Sequence, residues 1–363
     1  MTALLLGATA WLGWKQVYDR PYSRAEVDAI EQSTEVLSEV FVVDREYRSM
    51  KGPKGHVRGT LLDVEPPELV WITGYSAIMV DPTGEAQVPQ EFMCHANLNI
   101  DKERHKEIFG AHKAANPRLF TLSQGQNSIE FPPGYGIPVA SDEALDLGMQ
   151  VLNLNYDADT NGPLEVRHKV TITFVRDRDL RRPMIPLYME AASGLVSLGH
   201  ERAYYNTDQV DPEEHGEGCS VGQDAHTKVT KDRNGNEFSG HWVVKPGREE
   251  NRTLVTRYMN LPFDTTVHYV AVHLHPYAES LELYDRTVEK SVYKSLAQSF
   301  EPHQGVGLTH VDAYSSTEGF RLYADHEYEL ISVYDNSSGV DQDAMAVMFM
   351  YAVDEEYERP KGL

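Results

Sequence analysis

At 363 residues, 41% of them apolar, the chain exceeds the usual size of one compact domain and can fill two cores. Its 33 basic and 56 acidic residues leave a net charge of −23. That charge argues against nucleic acid and anionic membrane surfaces as partners, because both bind basic faces. No run of eighteen apolar residues marks an integral membrane domain, and two cysteines, Cys94 and Cys219, are too few for a disulfide framework.

Residues 1–35 read as a leader-like segment followed by a short helix. The apolar stretch from Met1 ends in Ala8-Thr9-Ala10, which resembles the end of a secretory signal or anchor, although a basic n-region is missing. An extracytoplasmic location (secreted, periplasmic or anchored) is the expectation. Ser23, with Glu26 three residues on, predicts a capped helix start.

From Glu39 onward the apolar runs are short, rich in β-branched and aromatic residues, and punctuated by Gly, Pro, Asn and Asp. The runs starting at Glu39, Leu69, Leu152, His168, His241 and Tyr328 are predicted strands. The charged stretch Arg176–Pro183 follows a strong strand and places a boundary near Arg182. The expected fold is all-β, with two tandem antiparallel jelly-roll-like β-sandwiches at 36–182 and 183–363. Asp211 to Glu237, polar and Gly-rich, is a predicted loop of the second.

The run Val267-His-Tyr-Val-Ala-Val-His-Leu-His-Pro-Tyr277 carries the first chemical signal. On a strand, alternation puts Tyr269, Ala271, His273, His275 and Tyr277 on one face and His268 on the other. Two imidazoles on one face can share a metal, and imidazole suits copper, zinc and iron. Further on, alternation gives Met345, Val347, Phe349 and Tyr351 a common face. A strand methionine is usually core filling, but beside two histidines its thioether is a soft ligand that favours Cu(I).

Three segments in this order resemble the catalytic half of the copper type II ascorbate-dependent monooxygenases, the peptidylglycine α-hydroxylating and dopamine β-monooxygenase family. They are Val243-Val-Lys-Pro-Gly-Arg248, Val267 to His275, and Asp343-Ala-Met345, within roughly residues 237–352. The resemblance implies one copper held by His273, His275 and Met345, with ascorbate or another small reductant as electron source and a small-molecule substrate. In the first half, Gln126 to Pro138 and the run Leu152 to Tyr156 follow the family more loosely. Its electron-delivering copper would fall at Cys94 and His95, but a family histidine is replaced by Asn155. One copper per chain is therefore expected, with His95 and Cys94 as candidates for a second, weaker site. Ala271, Val347 and Phe349 stand where the peptide hydroxylase has polar anchors, so a peptide carboxylate is an unsuitable substrate and an apolar pocket is expected.

Alternatives stay open. A non-catalytic copper binder would keep the fold and lose the second copper. A cupin-like enzyme would add Glu279 to His273 and His275, which match its His-x-His-x3-Glu spacing without its glycines. A structural module would use the same residues as core. His105, His112 and His168, with His303 and His310, read as surface residues.

Overall fold

The computed structural model describes residues 21–49, 51–110, 117–197, 229–231, 236–259 and 261–363. The leader-like segment 1–20, most of the predicted loop 211–237, Cys219 and His112 lie outside the described residues. The chain is all-β, built from several open sheets. The predicted helix is a single turn, Arg24–Asp28, with the Glu26 carboxylate folded back on the Ser23 backbone N–H at 2.8 Å.

One long sheet runs through both halves. Strands Leu164–Arg176, Leu69–Val80 and Tyr135–Ala140 from the first half continue into Ile185–Ser193, Ala346–Val353 and Thr265–Leu274 from the second. The junction is a parallel pairing of Ile185 with Tyr135 and Pro186 with Gly136. A four-stranded sheet, which includes Met93–Ile100 and Arg118–Ser123, packs on one face of the long sheet. A five-stranded sheet, which includes Ala278–Asp285 and Tyr328–Asn336, packs on the other face of its second half.

Strand Ala346–Val353 therefore lies in a middle layer, and every residue from Ala346 to Ala352 is buried. Val347, Phe349 and Tyr351 join the first core, while Ala346, Met348 and Met350 join the second. Coverage on both faces explains an apolar run with no polar alternation. The neighbouring strand Thr265–Leu274 divides likewise, with Tyr269 and Ala271 in the first core and Val270, Val272 and Leu274 in the second. A bulge at His268 shifts the register by one, so Val267 also reaches the second core. His268 leaves the ladder and places Nδ1 2.9 Å from the Ser316 carbonyl.

The run Leu152 to Asp157 is not a strand, contrary to expectation. The strand there ends at Val151. Asn153 then organises a turn, donating through Nδ2 to the Tyr156 carbonyl at 2.9 Å and accepting the Tyr156 N–H at 2.9 Å. Asparagine competes well for local backbone groups, and that preference overrides the alternating pattern.

Candidate metal centre

The second-half site is assembled where paired strands end together. Antiparallel pairing sets His273 opposite Val347 and Leu274 opposite Ala346, and His275 and Met345 follow one position beyond the last pair. Tyr334, fully buried, pins this end. Its hydroxyl donates to the Met345 carbonyl at 2.5 Å and accepts the His275 N–H at 3.3 Å. A second short pairing, Val243 with Asp343 and Trp242 with Ala344, brings His241 alongside.

The result is three clustered imidazoles and one carboxylate. The His273 and His275 rings stand 5.2 Å apart at 88°, and His241 and His275 are 5.5 Å apart. Asp343 lies between the latter two, with Oδ1 3.2 Å from His241 Nδ1 and Oδ2 3.0 Å from His275 Nδ1. Burial alone would raise the Asp343 pKa, but the two imidazoles outweigh it and hold the carboxyl well below its usual range. An ionised Asp343 accepts from His275 Nδ1 and orients the ring, the arrangement commonly found around a metal-bound histidine. His273 is buried, and its Nδ1 meets no hydrogen-bond partner. Burial, with the neighbouring histidines, pushes its pKa well below normal, so the ring is neutral and competent as a ligand.

A cavity of about 130 Å³ opens beside these residues. His273, His275 and Asp343 form one wall, and Cys94, Met93 and Leu152 of the first half contribute the other. Met345 is buried among the first-core residues, one position beyond the last paired residue Ala346, and is not among the residues lining this cavity.

Other candidates are placed differently. Strand Thr265–Leu274 stops before His275, and Tyr277 turns with φ +71°, so alternation does not carry through the turn. Tyr277 packs against the second core, and Glu279 pairs with Arg248 at 3.1 Å on the exposed surface. The cupin-like ligand set is thus not assembled. Ala271, Val347 and Phe349 do not line the cavity beside His273; they are buried in the first core with Phe131 and Tyr351, whose rings are 4.9 Å apart. The pocket expected over those three positions is filled core.

The Cys94–His95 pair is split in role. A bulge between Met93 and His95 accompanies the turn of Cys94 toward the cavity. His95 is buried and fully engaged, with Asn97 Nδ2 3.0 Å from Nδ1 and Gln150 Oε1 3.2 Å from Nε2. An amide NH2 on Nδ1 consumes the lone pair, and the proton on Nε2 serves Gln150. Asn155 is committed as well, accepting the Val306 N–H at 2.7 Å and donating to the Val306 carbonyl at 3.0 Å. The adjacent Gly305 has φ +93°, and a Cβ there would meet Asn155 Oδ1 at 2.1 Å.

His105 and His168 are buried, which corrects the surface expectation, while His303 and His310 are exposed as expected. His105 Nδ1 pairs with Glu143 at 2.7 Å. His168 lies in the first core, edge-on to Phe41, with neither ring nitrogen at hydrogen-bond geometry. Burial drives its pKa down to about 3, opposed in part by the Gln150 backbone. Sequence reasoning missed His241 and Tyr334. Each sits in or beside an ordinary strand pattern, and only the pairing of distant strands reveals its role.

No family model and no curated protein matches the chain. Among solved structures, the STIV MCP is 10% identical, with 90% of this chain and 99% of that chain covered at TM-score 0.31. PNGase F, a glycosylasparaginase from Flavobacterium meningosepticum, is 9% identical, with 91% and 98% covered at TM-score 0.32. The major capsid protein P2 from bacteriophage PM2 is 10% identical, with 90% and 100% covered at TM-score 0.31. Likenesses this distant carry no functional argument.

Proposed function

We propose that the chain holds one copper ion on His273 and His275, with Met345 as third ligand, and oxidises a small molecule in the adjoining cavity. Dioxygen and an external reductant such as ascorbate are the co-reactants. The carrying observation is the contrast within the pair: Asp343 occupies Nδ1 of His275, while the buried Nδ1 of His273 has no partner. A buried unmet nitrogen costs about 1–3 kcal/mol, and a ligand bond would remove that cost.

By donor chemistry, two imidazoles and a thioether suit Cu(I), and a bound copper would supply one-electron chemistry with dioxygen. The chain's own residues do the rest. Asp343 orients His275, and Tyr334 ties the His275 and Met345 backbones together. Met93 and Leu152 give the cavity apolar wall, and the paired Glu46 and Arg48 at its rim compensate each other. A small neutral substrate fits this lining better than a free carboxylate.

Copper binding without turnover is a second reading, favoured by the hydrogen bonds that occupy His95 and Asn155. With no electron-storing copper there, electrons must come directly from the reductant. The test is oxygen uptake with ascorbate, comparing copper-loaded wild type, His273→Ala and an equal load of free copper. Uptake above the free-copper control, lost in His273→Ala, supports the oxygen-activating, monooxygenase-like reading. Tight copper with no excess uptake supports the binder, and no tight copper ends both.

A further inference from the structure

We propose that His241, Asp343 and Nδ1 of His275 form an alternative site for a borderline divalent cation such as Zn²⁺ or Co²⁺, and that this site and the copper site exclude each other through His275. The inference goes beyond the copper reading and shares one residue with it. His241 and Asp343 have no place in the His273–Met345 ligand set.

The geometry carries it. One ligand atom from each of the three residues lies within 4.8 Å of the other two. The two short contacts use different oxygens of Asp343, Oδ1 at 3.2 Å from His241 Nδ1 and Oδ2 at 3.0 Å from His275 Nδ1. Bonds of about 2.0–2.2 Å in a tetrahedral site put neighbouring donors about 3.3–3.5 Å apart, so three donors that already lie within 4.8 Å of one another need only side-chain adjustment to share a cation. Both short edges come from paired backbone: Val243 opposite Asp343 on one side, and on the other the strand end that Tyr334 holds. The cluster is largely buried, with side-chain exposure of 26% for His241, 11% for Asp343 and 8% for His275. The other nitrogen of His241, Nε2, is buried without a hydrogen-bond partner, so this ring has unspent capacity in either orientation.

The donor chemistry sets the ion class. Two imidazoles and a carboxylate, with no sulfur, suit zinc, cobalt and iron(II) rather than Cu(I). Binding replaces the Nδ1 protons that now point at Asp343, and so removes the hydrogen bond that orients His275 for copper. Holding both ions at once would require His275 to lose its remaining ring proton and bridge them as an imidazolate; the proposed exclusion rests on the cost of that deprotonation.

The experiment titrates the metal-free full chain with Co²⁺, read by its visible d–d bands, with and without one equivalent of Cu(I). One Co²⁺ per chain is expected, with bands of nitrogen and oxygen ligation, and Cu(I) should suppress them in proportion. His241→Gln should weaken Co²⁺ at least about 10-fold, while Met345→Leu should change it less than about threefold. Co²⁺ and Cu(I) binding together overturns the proposal, as does Co²⁺ affinity indifferent to His241→Gln. The competition on wild type needs no variant to fold. The copper reading fails separately, if Cu(I) affinity is indifferent to His273→Ala.

Discussion

His95 and His273 are both buried and both resemble copper ligands in sequence, yet their surroundings are opposite. His95 spends one nitrogen on Asn97 and the other on Gln150. His273 has a nitrogen with nothing to bond, next to an imidazole whose orientation Asp343 already fixes. Residue type is equal in the two places. What differs is whether the surrounding chain has already satisfied the ring.

The largest expected effect follows directly. His273→Ala or His275→Ala should lower Cu(I) affinity by more than about 100-fold, beyond what losing an outer-shell partner costs. His95→Ala should change it less than about threefold, and chelator competition would show both. If His95→Ala costs as much as His273→Ala, the two sites are functionally linked and the contrast breaks.

Asp343→Asn tests the orienting carboxylate one step further out. Copper affinity should fall about 10- to 100-fold, as for other outer-shell losses. Tyr334→Phe should cost about 10-fold or less, because the ring still fills the core while the strand ends lose their clamp. Unchanged affinity there would mean that backbone pairing alone sets the spacing of His275 and Met345.

Stability offers a smaller test, through two buried histidines outside the proposed copper ligand set. His95 and His168 each titrate near pH 3 in the folded chain because burial penalises the charged form. Their unfolded pKa is about 6.5, so between pH 6.5 and 3 the unfolded chain takes up two protons that the folded chain refuses. Stability is therefore full above pH 6.5 and falls on acidification, by about 1.4 kcal/mol per pH unit for each ring. His168→Leu should halve that two-proton slope in urea unfolding. At neutral pH it should stabilise the chain by about 1 kcal/mol, since it removes a buried polar ring whose nitrogens lie outside hydrogen-bond geometry. A steeper slope in the variant would contradict the neutral core imidazole.

The all-β architecture was legible because turn residues and β-branched runs recur on a short period. Alternation also placed Tyr269, Ala271, Val347 and Phe349 correctly on one face. Alternation failed where the chain stopped being extended. The turn after Leu274 removed Tyr277 and Glu279 from the histidine face, and Asn153 turned an expected strand into a loop. His241 was illegible because its role depends on register between strands about a hundred residues apart, and Tyr334 because its hydroxyl meets the His275 N–H 59 positions away. The burial of His168 was missed because strand parity alone does not say which face is covered.

Copper stoichiometry tests the central claim most directly: Cu(I) bound per chain in wild type, His95→Ala and His273→Ala under one chelator. One, one and none is the predicted result. Two tight coppers in wild type, with one lost in His95→Ala, would contradict it, as would copper retained in His273→Ala.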